Sequence, residues 1–276
     1  MSANTCKTRP GTALPALLAV LGLAMSPAAS ADSDAELAKK AQNPIAAMIS
    51  LPMQLNYDEG YGATGDGEKW LLNVQPVIPF DLSTDWNLIS RTIVPLVDQK
   101  DFVAGGALDE SGVGDVLQSL FFSPKAPTAG GWIWGVGPAL LLPTASDKVL
   151  GSEKWALGPT AVVLKQESGW TVGVLGNHLW SVAGDDDRDD ISATFVQPFL
   201  GYTTRTYTTF LINTESSYDW KRETWSVPVN LMVTQMLRVG GQPLTLQAGA
   251  RYWADSPDGG PDGWGFRLAL TLLFPK

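Results

Sequence analysis

The chain has 276 residues, of which 45% are hydrophobic and 17% are charged, against roughly 25% charged in an average soluble domain. The formal net charge of -9 argues against nucleic acid as a partner, because nucleic-acid binding draws on Lys and Arg. No stretch after residue 31 offers the ~18 apolar residues of a membrane-spanning helix, and 28 Gly and 19 Pro argue against long helices.

The first 31 residues have the pattern of an export signal. A basic stretch precedes an apolar run over 14–24, and a small-x-small motif ends at Ala31. We therefore expect a signal peptide over 1–31, cleaved near Ala31. Cys6, the single cysteine of the sequence, would leave with it, and the mature chain would contain no disulfide.

Residues 32–44 form a short N-terminal segment without a strand pattern. Asp34 to Gln42 suits a short amphipathic helix, which would either plug a barrel or lie in a periplasmic tail. From residue 45 onward, apolar and polar residues alternate with the period of two that is typical of strands. Twelve such segments are predicted, at 45–57, 70–80, 86–96, 114–124, 132–143, 155–164, 170–181, 191–202, 207–217, 225–236, 244–253 and 264–274.

The connections between these segments alternate between short and long. An even number of antiparallel strands of ~10 residues, with short turns on one side and longer loops on the other, is typical of a transmembrane β-barrel. The predicted fold class is therefore all-β, an up-and-down barrel of about 12 strands over 45–276. Nine of the 11 Trp fall at the predicted strand ends, where an amphipathic ring suits the membrane interface.

Several strings are more specific than a generic barrel. They are LAKK with QNP near residue 40, NVQP at 73–76, LISR at 88–91, FFSP at 121–124, WGVGP at 134–138, LPT at 142–144, KW with GP at 154–159, and LFPK at the end. Together they resemble a family of Gram-negative outer-membrane proteins usually labelled transporters, which is similar to barrels linked to meta-pathway phenol degradation. The resemblance implies an outer-membrane barrel and brings no catalytic residue or cofactor. The chain departs from many barrels by ending on Pro275 and Lys276 rather than on an aromatic residue.

Polar residues at inward positions predict a polar lumen, where side chains set selectivity. Arg251 and Arg267 are expected side by side on neighbouring strands, with Glu215 as a candidate partner. Either they bias permeation toward anions, or they belong to a structural ion network. The candidate lumen residues are Arg91, Glu215, Asn230, Arg251 and Arg267. Twelve strands lie between the filled eight-stranded barrel and the open porins, so a narrow pore and a plugged lumen both fit.

Prolines inside predicted strands remove donors from the pairing ladder. Pro138 and Pro159 fall at similar depth on the fifth and sixth strands, close to Gly135, Gly137 and Gly158. We predict a weak lateral seam between these two strands, with bulged but sealed strands as the alternative.

Enzymatic chemistry has little support in the sequence. His178 and Ser181 are three residues apart, on opposite faces of a regular strand, whereas a lipid-facing hydrolase needs both on one face. One histidine and no mature cysteine leave no His/Cys metal site, and no cofactor is predicted.

The leading hypothesis is a channel for small, hydrophobic or aromatic molecules, and the resemblance suggests that substrate class. The alternatives are a structural or adhesion barrel acting through its acidic outer loops and, less favoured, a lipid-modifying enzyme. The expected location is the outer membrane. The expected partners are outer-membrane lipid, lipopolysaccharide, a small-molecule solute and the barrel-assembly machinery.

Overall fold

The structure is a computed structural model that describes residues 33–101 and 109–275. The predicted signal peptide lies outside the described residues. One helix, α1 (Asp34–Ala41), precedes the strands. The strands are β1 (Ile49–Tyr61), β2 (Gly67–Val74, continued by Val77–Asp81), β3 (Trp86–Lys100), β4 (Glu110–Val113, continued by Val116–Pro124), β5 (Trp132–Leu142), β6 (Lys154–Glu167), β7 (Trp170–Gly184), β8 (Ser192–Thr203), β9 (Thr208–Thr214, continued by Ser216–Asp219), β10 (Thr224–Val239), β11 (Gln242–Asp255) and β12 (Gly263–Phe274).

These twelve strands form a closed antiparallel barrel. Each strand pairs with its neighbours in the chain, and β1 pairs with β12 from Ile49–Phe274 to Tyr57–Phe266. Closure satisfies the backbone donors and acceptors that an open sheet edge would expose to lipid. The predicted all-β, up-and-down barrel of twelve strands is confirmed.

The first strand differs from its predicted bounds. It begins at Ile49 rather than at residue 45 and continues to Tyr61. Ile45, Ala46 and Met48 are buried instead of forming strand pairs. The apolar pattern of this segment therefore reflects packing inside the barrel.

The outer face of the barrel is apolar and aromatic. Trp86, Trp132 and Trp170 each begin a strand and are 38%, 44% and 52% exposed, as expected for rings at a membrane interface. Trp253 differs from this prediction, because it donates a hydrogen bond to Asp58 inside the barrel. No helix in the described part of the chain is long and apolar enough to cross a membrane.

Helix α1 covers the barrel end that carries the shorter turns. Ser33 caps it by accepting a hydrogen bond from the Glu36 amide at 3.3 Å. Acidic residues in its first turn and lysines in its last turn complement the helix dipole. Leu37 and Ala38 are buried in a cluster with Met48, Met236 and Leu273, and this packing holds the helix on the barrel.

Candidate functional site in the barrel lumen

One side of the lumen is lined by apolar side chains, which we call the apolar wall. Its buried members lie on β2 to β7 and pack against Ile45 from the segment before β1. Phe121, Ile89 and Leu164 are fully buried, as in the core of a soluble domain. The prediction of an evenly polar lumen is therefore wrong for this side. The apolar wall consists of Val77, Ile89, Phe121, Val162, Leu164 and Leu175.

The opposite side carries a network of charged and amide groups, which we call the charged wall: Asn56, Asp58, Glu215, Arg251 and Arg267. Arg267 donates to both carboxylate oxygens of Glu215, at 2.7 Å each, and to Asn56 Oδ1 at 2.7 Å. Planar guanidinium and carboxylate groups match in such a bidentate pair, which fixes both orientation and distance. Arg267 is only 1% exposed, so it stabilises the network from inside the barrel and is not available to a solute.

Arg251 extends the network to the next carboxylate. Its Nε lies 3.0 Å from Asp58 Oδ1, a close ion pair in which the N–H does not point at the oxygen. Its Nη1 lies 3.6 Å from Glu215 Oε2, and its guanidinium lies 4.6 Å from the centre of the Trp253 ring. Two cations thus face two carboxylates, and their charges cancel.

The register refines the prediction for the arginines. Arg267 is opposite Gly249, and Arg251 is opposite Gly265, so the two are diagonal neighbours rather than a direct cross-strand pair. Asn230 is fully buried and donates to Asn213 Oδ1 at 2.8 Å. It lies behind the lumen surface instead of lining the cavity described below.

Asn56 and Asp58 were absent from the sequence-based candidates. They share the inward face of β1 with Gln54, but the first strand was predicted to end at residue 57. Asp58 would have been found if the alternation of inward and outward residues had been extended one residue beyond the predicted end of this strand.

A cavity of about 200 Å³ lies in the lumen between the N-terminal segment and the charged wall. Along β1, Ser50, Pro52 and Gln54 line it, whereas Asn56 and Asp58 belong to the charged wall. The charged wall therefore lies beyond the cavity, toward the end with the longer loops. Other lining residues are Gln75, Arg91, Gln197, Phe199, Asn213 and Gln247.

The N-terminal segment bounds the cavity at the short-turn end. Residues 40–44 line it, together with Ala46 and Met48. Two polar contacts tie α1 to the barrel: Asp34 forms a 2.6 Å ion pair with Arg238, and Gln166 donates to the Lys39 carbonyl at 2.9 Å.

Pairing at the predicted lateral seam is continuous. Strands β5 and β6 pair at ten successive positions, including Pro138 opposite Pro159, so the location predicted for the seam is wrong. The ladder is interrupted on the two outer sides of this hairpin. Between β4 and β5, Leu120 opposite Pro138 and Phe121 opposite Gly137 are unpaired. Between β6 and β7, Gly158 opposite Leu179 and Pro159 opposite His178 are unpaired.

The physical reason is the direction of the missing donors. Pro138 and Pro159 face each other, and their backbone nitrogens point away from each other, toward the outer neighbours β4 and β7. The missing donors therefore interrupt pairing with β4 and β7 and leave the pairing between β5 and β6 intact. The adjacent glycines let the backbones approach there. A Cβ at Gly137 would overlap the Leu120 carbonyl oxygen, and a Cβ at Gly158 would overlap that of His178. Gly135 instead faces inward, where a Cβ would lie 3.2 Å from Ile45 and 3.3 Å from Phe121.

No protein-family model matches the chain, and neither does any curated protein. Among solved structures it is similar to an outer membrane channel from Pseudomonas putida F1, with 16% identity and a TM-score of 0.64 over 83% of this chain and 96% of that one. The fold is that of an outer-membrane β-barrel. The resemblance inferred from the sequence is thus confirmed at the level of the fold.

Two further structures align more loosely, each with a TM-score of 0.46. The beta domain of the Bordetella autotransporter Brka is 11% identical over 83% of this chain and 100% of that one. Outer membrane phospholipase A from Escherichia coli is 12% identical over 88% of this chain and 97% of that one.

The barrel places His178 and Ser181 on opposite faces. His178 lies on the outer face, where its Nδ1 is 2.7 Å from Thr194 Oγ1 and its ring centre is 4.1 Å from that of Trp180. Ser181 faces the loop end and donates to Asp190 at 3.0 Å. This geometry gives no support to a histidine–serine hydrolase pair.

In the acidic loop over 185–191, two of the five aspartates form ion pairs. Asp189 lies 3.0 Å from Arg222, and Asp190 lies 3.4 Å from Lys154. Hydrogen bonds from Ser181 and Lys154 lower the pKa of the Asp190 carboxyl. Among the described residues there is no group of three or more His, Cys, Asp and Glu placed to hold a metal ion.

Proposed function

We propose that the protein is an outer-membrane channel for the passive passage of small molecules. The observation that carries this proposal is the cavity of about 200 Å³ in the lumen. Small eight-stranded barrels are filled by side chains, whereas this interior retains space along its axis. The likeness to an outer membrane channel supports the proposal.

The residues that line the cavity suggest the class of solute. Phe199 and Val77 offer apolar surface to the cavity, and Gln75, Arg91 and Asn213 offer donors. A solute with an apolar or aromatic body and a polar group would make favourable contacts on both sides. Small hydrophobic or aromatic molecules are therefore the proposed substrates, as the family resemblance also suggests.

The N-terminal segment is proposed as the plug of this channel. Residues 40–44 bound the cavity, and the polar contacts of α1 with the barrel include an exposed ion pair and a hydrogen bond. Exposed ion pairs contribute little stability, typically ~0.2–1 kcal/mol. Displacement of residues 33–44, which would also remove Leu37 and Ala38 from their buried cluster, would open the short-turn end, which we assign to the periplasm.

The remaining expectations follow from this placement. The apolar outer face would contact outer-membrane lipid, the acidic loops would face lipopolysaccharide and the cell exterior, and the barrel-assembly machinery would insert the chain. Cysteines introduced at Asp187 or Gly259 should react with an impermeant maleimide on whole cells. Reaction instead at Ser83 or Ser168 would invert the topology.

Solute flux into proteoliposomes tests the function directly. The panel would include a sugar, an aromatic acid and a fatty acid, with the full chain compared with a variant lacking residues 33–43. The channel proposal predicts uptake of the aromatic acid that rises in the shortened variant. Absence of flux from both proteins would favour the alternative of a structural or adhesion barrel.

A further inference from the structure

The charged side chains that line the lumen cavity are basic. Among the described residues that line it, Lys40 and Arg91 carry charge and none is a carboxylate. Lys40 lies 3.4 Å from Glu36 in an ion pair on α1. Arg91 forms no ion pair with a described carboxylate, and the Glu215 carboxylate is taken up by Arg267. Glu215 therefore offsets the positive charge of Arg91 only through space, while its carboxylate is bonded to Arg267.

Arg91 also has unused hydrogen-bonding capacity. A guanidinium carries five N–H donors, and in this structure one of its nitrogens donates to Gln75 Oε1, at 2.8 Å. Gln75 and Asn213 are 6% and 7% exposed. Their carbonyl oxygens accept from Arg91 and Asn230, respectively, which leaves both amide NH₂ groups as donors beside the cavity.

Buried donors of this kind favour an acceptor-only ligand. A carboxylate accepts hydrogen bonds at both oxygens, and bonds to a charged donor are shorter and stronger than neutral ones. A desolvated cation without a partner is unfavourable, so an anion in the cavity would remove that cost.

The same cavity has an apolar side. Val77 belongs to the apolar wall, and Phe199 packs against it. The volume of about 200 Å³ suits a small molecule, since pockets for drug-sized ligands measure roughly 300–1,000 Å³. An inorganic anion would leave this apolar surface without contacts.

We propose that the cavity is a binding site for a small carboxylate with a compact apolar body, and that Arg91 is its anion-binding residue. The amides of Gln75 and Asn213 supply further donors, and Val77 with Phe199 contacts the apolar body. This inference rests on the proposed function, because the ligand reaches the site through the lumen.

Equilibrium binding to the detergent-solubilised full chain tests the site. The probe is benzoate, with benzylammonium and benzyl alcohol as compounds of similar size and different charge. The variants are Arg91→Gln and Arg91→Met, and the matched control is Arg205→Gln in the turn over 204–207. Heat-modifiable gel migration reports folding, and Arg91→Met provides an apolar replacement if Arg91→Gln fails to fold.

Benzoate should bind the unaltered protein and the Arg205→Gln control equally. Its affinity should fall at least about tenfold in either Arg91 variant, consistent with the loss of one charged hydrogen-bonded contact. Equal affinity in the folded Arg91 variants, or binding of benzylammonium as strong as that of benzoate, would overturn the proposal.

The two proposals fail separately. Benzoate binding without solute flux would retain the site and remove the channel function. Solute flux without benzoate binding would retain the channel and remove the site.

Discussion

The apolar wall and the charged wall are built on the same alternation of inward and outward residues, but different forces hold them together. Leu164 and Phe121 pack on the apolar wall by burial alone. Arg267 and Glu215 on the charged wall are fixed by two 2.7 Å hydrogen bonds. One wall therefore tolerates changes of shape poorly, and the other tolerates changes of charge poorly.

The contrast also places the path of a solute. The apolar wall fills its side of the lumen, and the charged wall has paired its own charges. Arg91 lies between them, two residues after Ile89 on β3, and has one neutral partner. Selectivity is thus expected at Arg91 rather than at Arg251 and Arg267.

The largest effect is expected on the charged wall. Glu215→Gln should destabilise the barrel by about 3–5 kcal/mol, because it leaves Arg267 and Arg251 buried without that carboxylate. Urea unfolding in lipid vesicles measures this loss. Adding Arg267→Met to Glu215→Gln should recover part of it, and a single variant as stable as the unaltered barrel would contradict the network.

A smaller loss is expected on the apolar wall, where neighbouring residues provide a matched pair. Phe121 is fully buried in the lumen, and Phe122 is 43% exposed on the outer face. Phe121→Ala should cost about 3 kcal/mol, since it loses both transfer free energy and packing around the cavity left behind.

The matched change Phe122→Ala should cost less, because lipid can fill the space on the outer face. The same unfolding assay measures both variants. Equal losses at the two positions would mean that the apolar wall is not tightly packed.

The two interrupted ladders should respond independently. Pro138→Val and Pro159→Val each restore one N–H donor and suit a strand. Each should raise stability by about 1 kcal/mol, near the net value of one hydrogen bond. The effects should add, because the restored donors face different strands, β4 and β7. If the effects of the two changes are strongly non-additive, the two prolines act on the same ladder, the one between β5 and β6.

The smallest effect is expected at His178 on the outer face. His178→Ala should change solute flux by less than a factor of two and stability by less than about 1 kcal/mol, because it loses a hydrogen bond to Thr194 and a ring contact with Trp180. The flux and unfolding assays above measure both. A lipid-hydrolysing activity that disappears in this variant would support the enzyme alternative.

The sequence predicted the barrel more fully than its interior. Alternation places Trp70, Leu72 and Val74 on one face and Asn73 on the other without knowledge of any partner strand. Closure then follows from the even count of such segments.

The interior depends on register and on contacts across the lumen. The register between neighbouring strands decides that Arg251 and Arg267 are diagonal neighbours. It also decides on which side Pro138 lacks a donor. The residues around each of these positions do not reveal that register. The apolar wall was missed because the inward Asn and Arg residues were counted while Phe121 and Leu164 on the same inward faces were not.

Cysteine accessibility in the conducting protein tests most directly whether solutes pass through the lumen cavity. Ala269→Cys places a thiol on the cavity lining, and Ala248→Cys places one on the outer face of the neighbouring strand. In planar bilayers, both variants should conduct. A bulky charged methanethiosulfonate reagent should reduce the conductance of Ala269→Cys and leave that of Ala248→Cys unchanged. Absence of conductance, or an Ala269→Cys conductance that persists after confirmed modification, would contradict the account.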